Sequence, residues 1–234
     1  MLSLGIKTNN FITKKALCVG SWAGHGTWCW YKIITLLQSY GYNVTVFDLT
    51  TSGINPRQII DLNFSSVLDY VLQPLIDFMA SLKPKERVIL VGHSLARLGM
   101  SVAIERFSKK ISAVLFVTAF MPGPNLTYIT IAEDAKFINV VAFKIIVTFN
   151  FPLFTAEALV LKQTKLTKGK NGSVHRVFIV CDQDLAIDDG LQRWMIERNP
   201  PTEVNVINGI DHMVMFTRPL KLFSYLGQIA EKYD

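Results

Sequence analysis

The apolar residues of this chain follow two alternating patterns, and their order predicts the secondary structure. Six short apolar runs rich in β-branched residues have the length and composition of strands. They cover residues 16–20, 44–47, 87–91, 113–117, 176–180 and 203–206. Segments with apolar residues at helical spacing lie between them. Strands that alternate with helices predict an α/β fold, with a mostly parallel sheet and helices on both faces.

Two of the helical segments have a clear apolar face. Residues 66–82 place their apolar side chains on one side of a helix, and Pro74 is the expected position of a kink. These side chains are Leu68, Val71, Leu72, Leu75, Ile76 and Met79. The segment 219–232 forms a second such helix near the end of the chain. Its predicted inward side chains are Leu222, Leu226 and Ile229.

The regular alternation is interrupted between Phe120 and Val174. This stretch begins with Met-Pro-Gly-Pro and ends in a polar segment at 169–172. An insertion between two parallel strands lies over their carboxyl ends, where it can cover a binding site. We therefore predict a single domain over residues 1–234, with residues 121–173 as an inserted lid.

Composition and charge limit the partners of the chain. Half of the 234 residues are hydrophobic and 18% are charged, which is ample material for a large core. The net charge is +6, but the basic residues are scattered. The densest group lies in a polar loop without interleaved aromatic residues, so we expect a solvated surface and no nucleic-acid partner. It consists of Lys162, Lys165, Lys168 and Lys170.

The cysteines and the apolar stretches indicate the cellular compartment in which the protein is expected. The chain has three cysteines, widely spaced in apolar surroundings, which is typical of reduced thiols in the cytosol. The N-terminal residues lack the apolar core of a signal peptide. The longest apolar stretch, 138–154, is interrupted by Lys144, Asn150 and Pro152, which favours a lid over a membrane span. We therefore expect a cytoplasmic protein with no membrane partner.

A serine at the end of a predicted strand is the strongest sign of chemistry. The sequence Val-Ile-Leu-Val-Gly-His-Ser-Leu-Ala occupies residues 88–96, directly before a helical pattern at 95–107. Such a turn exposes the hydroxyl of Ser94 at a helix N-terminus, where backbone N–H groups can stabilise an oxyanion. The pattern is that of a nucleophile elbow, with Ala96 where a second glycine is usual.

A nucleophilic serine needs a base and an acid that orients the base, and sheets of this type provide them later in the chain. Asp184 and His212 each follow a predicted strand, so both are expected beside Ser94. His212 would take the serine proton, while a buried carboxylate fixes its tautomer. Turn and N-cap roles remain open for all the aspartates of this region. They are Asp182, Asp184, Asp188, Asp189 and Asp211.

Other histidines are expected to have different roles. His93 is expected to pack beside the elbow rather than act as the base. His25 and Cys29 stand four residues apart, but no second pair of ligands accompanies them. We therefore expect no metal site, and no feature of the sequence calls for a cofactor.

Several motifs occur together along the chain. They are Gly24-His25-Gly26-Thr27-Trp28-Cys29-Trp30-Tyr31-Lys32, Thr51-Ser52-Gly53-Ile54-Asn55-Pro56-Arg57-Gln58, residues 88–95, Phe120-Met121-Pro122, Gly172-Ser173-Val174 and Asp211-His212-Met213-Val214-Met215. This combination resembles the plant methylesterases, α/β-hydrolases that include methyl salicylate and methyl jasmonate esterases, polyneuridine aldehyde esterase and hydroxynitrile lyases. The resemblance covers nearly the whole chain, apart from the first dozen residues and the middle of the lid.

The resemblance implies an α/β-hydrolase fold and a role for individual residues. Ser94 becomes the nucleophile, His212 the base and Asp184 the orienting acid. The implied oxyanion hole is formed by the backbone N–H groups of Ala23 and Leu95. Around the substrate pocket the resemblance places Trp22, His25, Phe120, Met121 and Met213.

The function implied by the resemblance is that of a carboxylesterase. It would hydrolyse a small, largely apolar methyl ester through an acyl-enzyme, without a cofactor. Members of the family are often dimeric, which leaves a homodimer open for this chain. The acyl group is decided by lid residues, and the lid here diverges.

Three departures from the family pattern favour an alternative. Ser21 and Trp22 replace a His-Gly pair, Ala96 and Arg97 replace a Gly-Gly pair, and the lid is shorter. The alternative is a ligand-binding homologue whose site is obstructed and no longer catalytic. A hydroxynitrile lyase is a third hypothesis. It is disfavoured because the lyase pattern has a lysine directly after the Asp-His pair and an acidic residue directly before the nucleophile. This chain has Met213 and His93 at those two positions.

Overall fold

The computed structural model of the protein describes residues 15–19, 26–48, 67–94, 96–127, 130–131 and 166–233. Within these ranges only the backbone is described at 15–19, 67–71 and 97–98. No described helix is both long and apolar enough to cross a membrane.

The described residues form one sheet of six parallel strands, in the order β2-β1-β3-β4-β5-β6. All six predicted strands are present. β3 and β4 are apolar and buried along nearly their whole length, as expected for central strands covered on both faces. The strands are β1 (Lys15–Val19), β2 (Asn43–Phe47), β3 (Val88–Ser94), β4 (Ile111–Ala119), β5 (His175–Cys181) and β6 (Glu203–Ile207).

The described helices connect and cover these strands. The predicted helices at 66–82 and 219–232 are confirmed, and the one predicted from residue 95 begins two residues later. Helix α2 runs through Pro74. The helices are α1 (Tyr31–Ser39), α2 (Val67–Ser81), α3 (Arg97–Phe107), α4 (Lys168–Asn171), α5 (Asp189–Arg198), α6 (Val214–Thr217) and α7 (Pro219–Lys232), with 3-10 turns at Thr27–Trp30 and Ser108–Lys110.

Two apolar clusters lie on opposite faces of the sheet. On β4, Val114 and Phe116 face one cluster, while Leu115 and Val117 face the other, because alternate side chains of a strand point to opposite faces. The first cluster is completed by α2, α3 and α5, and the second by α1, α6 and α7. The buried residues of α7 are the three predicted to face inward and, in addition, Ala230. The predicted α/β fold with helices on both faces is therefore confirmed.

The strand order places a crevice at the end of β3. The chain leaves β1 to form β2 on one side, and then returns to form β3 on the other side of β1. In open parallel sheets, ligands bind outside the carboxyl ends of the strands at such a reversal. Ser94 is the last residue of β3 and thus stands at this position.

The predicted lid, 121–173, lies largely outside the described residues, and its role as a lid stays a prediction. Its described ends are fastened to the domain. At the first end, Asn199 donates hydrogen bonds to the carbonyl oxygens of Met121 (3.1 Å) and Pro122 (3.1 Å). At the second end, the backbone N–H of Thr167 donates to Glu105 of α3 (2.8 Å).

Candidate active site

The turn after β3 holds Ser94 in an uncommon backbone conformation. β3 ends at Ser94 and α3 begins at Arg97, and the N–H of Ala96 closes the turn on the carbonyl of His93 (3.0 Å). Ser94 has φ +56°, in the left-handed region that residues with a Cβ seldom adopt. Such conformations persist where the surrounding structure enforces them, often at active sites. The predicted sharp strand-to-helix turn at Ser94 is therefore present.

The space around this turn explains the glycine before it. A Cβ on Gly92 would lie 2.5 Å from Sδ of Met100 and 3.2 Å from Cβ of Ala96. A side chain at 92 would thus require both neighbours to move. Ala96 is fully buried, and its methyl group occupies part of that space. The departure from glycine at 96 is accommodated, while the side chain of Arg97 lies outside the described part of the molecule.

The carboxylate of Asp184, just after β5, receives four hydrogen bonds. Its Oδ1 accepts from the backbone N–H groups of Ala186 (2.7 Å) and Ile187 (2.9 Å). Its Oδ2 accepts from the hydroxyl of Thr118 and from Nδ1 of His212 (2.6 Å). The residue is only 2% exposed. A buried carboxylate whose acceptor positions are filled by hydrogen bonds can hold an imidazole in one orientation.

The other aspartates of this region have turn, cap or surface roles. Each accepts a hydrogen bond from a nearby backbone or side-chain donor rather than from a histidine. The pairs are Asp182 with N of Gly209 (2.6 Å), Asp188 with N of Leu191 (2.9 Å), Asp189 with Nε of Arg193 (2.8 Å) and Asp211 with N of Met213 (3.1 Å). The turn and cap roles that the sequence left open apply to these four. Asp184 also accepts from the backbone of its own turn, at Ala186 and Ile187, and in addition it contacts His212.

His212 lies in the turn between β6 and α6, and two contacts orient it. Its Nδ1 donates to Asp184, so in the neutral ring Nε2 carries the free lone pair. Nε2 of His93 donates to the backbone carbonyl of His212 (2.7 Å), and the two ring centroids are 4.4 Å apart. His93 is buried beside the elbow, as expected. With Nδ1 of His212 bonded to Asp184, Nε2 is the ring nitrogen that can act as a proton acceptor.

Some of the predicted site residues can be placed and others cannot. Phe120 and Met121 are buried in the first apolar cluster, and the N–H of Phe120 donates to the carbonyl of Ser94 (3.3 Å). Met213 is half-buried directly before α6 and packs against the second cluster. The remaining predicted residues lie outside the described part of the chain. They are Trp22, Ala23, His25 and Leu95.

Thr118 is a site residue that the sequence analysis missed. It is the next-to-last residue of β4, has φ +35°, and is fully buried with its hydroxyl on Asp184. The available signal was a single hydroxyl residue at the end of the apolar run Val-Leu-Phe-Val-Thr-Ala. In the described ranges, no group of three or more His, Cys, Asp or Glu side chains could hold a metal ion.

Comparison with known proteins identifies the family of this chain. The sequence pattern described as "Alpha/beta hydrolase family" matches residues 17–224. This chain belongs to the alpha/beta hydrolase family. The hydrolase is 40% identical over 252 residues to methyl jasmonate esterase 1 of Vitis vinifera, an alignment that covers 91% of this chain and 95% of that protein.

Solved structures of similar proteins share the fold of this hydrolase. Methylketone synthase I of tomato, in complex with 2-tridecanone, has a TM-score of 0.80 and 36% identity, covering 96% of this chain and 100% of that one. Polyneuridine aldehyde esterase has a TM-score of 0.79 and 27% identity, covering 93% and 100%. The predicted resemblance to the plant methylesterases is confirmed, and the esterase names of these relatives support the predicted enzyme class.

Proposed function

We propose that this hydrolase is a serine carboxylesterase that cleaves small, largely apolar methyl esters. Ser94 is the nucleophile, His212 the general base and Asp184 the acid that orients the base. One observation carries the proposal: a buried, fully hydrogen-bonded carboxylate holds the imidazole of His212 at 2.6 Å. The backbone of Ser94 supports it, as do the relatives named as esterases.

The proposed reaction has two steps. In the first, Nε2 of His212 takes the proton of the Ser94 hydroxyl as the oxygen attacks the ester carbonyl. Asp184 stabilises the imidazolium that forms, and the imidazolium gives its proton to the departing methanol. The acyl group is then bound to Ser94. In the second step, His212 takes a proton from a water that attacks the acyl carbonyl. The imidazolium then gives this proton to the Ser94 oxygen as the carboxylic acid leaves, which restores the serine and the neutral base.

The oxyanion of each tetrahedral intermediate needs hydrogen-bond donors. We assign this role to the backbone N–H groups of Ala23 and Leu95, on the basis of the family resemblance. The position of Ser94 shortly before α3 supports a donor at the helix N-terminus. The pocket for the acyl group is assigned by the same resemblance. Its proposed residues are Trp22, His25, Phe120, Met121 and Met213.

The proposed surroundings of the enzyme follow from its cysteines. Cys181 is free and buried, which supports a reducing compartment and therefore a cytoplasmic location. The proposed partner is a small-molecule ester that needs no cofactor for its hydrolysis. A homodimer stays a prediction from the family resemblance.

The decisive experiment is an ester hydrolysis assay with a serine variant. Purified protein should release alcohol from p-nitrophenyl or methyl esters, and Ser94→Ala should reduce kcat/KM by on the order of 10³ or more. Ser81→Ala is the matched control, because its hydroxyl is exposed and bonds a carbonyl of its own helix. Equal activity in the wild type and in Ser94→Ala would contradict the nucleophile assignment.

The two alternatives make different predictions in the same assay. A non-catalytic binding homologue would turn over no ester, yet its Tm would rise when a small carboxylic acid or ester binds. A lyase would release cyanide from mandelonitrile at a rate comparable to ester cleavage. We expect ester turnover and no cyanide above the buffer rate, because Met213 supplies no cation to stabilise a departing cyanide.

A further inference from the structure

We propose that Thr118 is a positioning residue of this site. Its hydroxyl fixes Oδ2 of Asp184, the same oxygen that receives Nδ1 of His212. Three independent features of the chain around Thr118 support this role: an irregularity of the sheet, the backbone conformation, and the distribution of donors around the carboxylate.

The first feature is a bulge in β4. Along the parallel pair, His93 of β3 faces Val117 of β4, but Ser94 faces Ala119. Thr118 is therefore the additional residue on β4. Bulges of this kind are found next to active sites, where they redirect a side chain.

The bulge changes which face of the sheet the following residues occupy. Phe116 and Ala119 belong to the same apolar cluster, although they are three positions apart. Strict alternation along a strand would place them on opposite faces. The alternation of side chains between the two faces shifts by one residue at Thr118. Thr118 itself belongs to neither apolar cluster, and its hydroxyl contacts Asp184, which follows β5.

The second feature is the backbone of Thr118, which has φ +35°. A β-branched residue with positive φ is a genuine outlier, and its neighbours must hold it in that conformation. The side chain is fully buried, where a hydroxyl needs a hydrogen-bond partner. Asp184 provides that partner.

The third feature is the distribution of donors around Asp184. Its Oδ1 is held by Ala186 and Ile187, which belong to the same loop as the carboxylate. Its Oδ2 is held by His212 from the β6–α6 turn and by Thr118 from β4. Among the described residues, Thr118 is the one donor to Oδ2 besides the imidazole that the carboxylate has to orient. The hydroxyl of Thr118 thus fixes the direction of the Nδ1–Oδ2 hydrogen bond relative to the sheet.

The test removes this hydroxyl and little else. Thr118→Val keeps the size and branching of the side chain, and Thr118→Ser keeps the hydroxyl. The first readout is the downfield proton resonance of the His212–Asp184 hydrogen bond, which His212→Ala assigns. The resonance should be sharp in the wild type and in Thr118→Ser. It should be broadened beyond detection in Thr118→Val, because a less constrained carboxylate lets the proton exchange faster with water.

The second readout is ester hydrolysis, and this part rests on the proposed function. Thr118→Val should lower kcat by on the order of ten- to a hundred-fold, with KM unchanged, because misorientation acts on the transition state. Thr118→Ser should restore most of the loss. Thermal unfolding confirms that each variant is folded. If Thr118→Val does not fold, Thr118→Ala and Thr118→Ser are compared instead, since these two differ only by the hydroxyl.

The resonance separates this proposal from the proposed function. An unchanged resonance and kcat in Thr118→Val would overturn the positioning role. So would equal behaviour of Thr118→Ser and Thr118→Val, or a wild type with no such resonance. If the wild type hydrolyses no ester, yet the resonance is lost in Thr118→Val and kept in Thr118→Ser, the positioning role stands and the proposed function fails.

Discussion

At the scale of the residue, the donors around a carboxylate determine what its substitution does. Asp184 accepts four hydrogen bonds, one of them from the imidazole of His212. Asp182, two residues earlier, accepts from the backbone of the turn at Gly209 and Ile210 and from no other residue of the described ranges. The two aspartates are close in sequence, yet only one of them can influence the orientation of a base.

This difference predicts that two matched substitutions have different effects on kcat. Asp184→Asn should lower kcat for ester hydrolysis by on the order of 10³ to 10⁴, because an amide favours the wrong imidazole tautomer. Asp182→Asn keeps an oxygen that accepts from the turn, and its kcat should be close to that of the wild type. Steady-state kinetics of both variants measures this. An active Asp184→Asn beside an inactive Asp182→Asn would move the orienting acid two residues along the chain.

Cys181 provides a prediction on reactivity. Burial raises the pKa of its thiol to about 12, and the nearby charges of Asp184, Asp211 and Asp182 add to the effect. Since the thiolate is the reactive species, the native thiol should resist iodoacetamide at pH 8. Peptide mapping by mass spectrometry should find Cys181 unmodified in native protein and alkylated in urea. Rapid alkylation of the native protein at this position would contradict the burial.

At the scale of the element, one side chain connects the first end of the predicted lid to a helix and a strand. Asn199, at the end of α5, donates to the carbonyls of Met121 and Pro122 and accepts from Arg176 of β5 (2.7 Å). The three contacts join a helix, a strand and the first residues of the predicted lid. A Cβ on Gly123 would lie 2.5 Å from this amide, so the glycine leaves room for it.

Removal of this amide should destabilise the protein measurably. Asn199→Ala leaves buried partners unsatisfied, which costs about 1–3 kcal/mol in the free energy of unfolding. The control is Gln228→Ala, whose exposed amide bonds Ser224 within its own helix and should change stability by less than about 0.5 kcal/mol. Urea unfolding followed by circular dichroism measures both. Equal stability of the two variants would show that Asn199 is not a structural anchor.

A prediction about the shortened lid concerns Trp22, which is found where the family has a glycine. We predict that its indole fills space left by the shortened lid. Trp22→Gly should then lower Tm with little gain in ester turnover. A large rise in turnover would instead mean that the indole obstructs the site, and it would favour the non-catalytic alternative.

Sequence patterns predicted some elements better than others. The six strands and the helix at 219–232 were predictable because their apolar residues follow a period of two or of 3.6. Helix α5 has no clear apolar face, and one of its buried positions is Gln192. That side chain bonds the backbone of Cys181 (2.9 and 3.1 Å), so a polar residue occupies a core position. The bulge at Thr118 likewise depends on pairing with another strand, which no local pattern encodes.

At the scale of the whole molecule, chain order and topology together made the candidate residues predictable. Ser94, Asp184 and His212 each follow or end a strand, and parallel strands bring their carboxyl ends to one edge of the sheet. The fold class therefore predicts that the three residues lie close together, and the contact between His212 and Asp184 is described. The contacts that distinguish Asp184 from its neighbours did not follow from the fold class, because they come from backbone donors in loops and from Thr118.

The donors to Oδ2 of Asp184 also bear on how the protein acquires its activity. Thr118 is 66 residues before Asp184, and His212 is 28 residues after it. These contacts can form only after β5 has docked on β4 and β6 on β5, and such distant pairings form slowly. A refolding chain should therefore regain its helical signal well before it regains esterase turnover. The rate at which turnover recovers would then report the rate at which the sheet is completed.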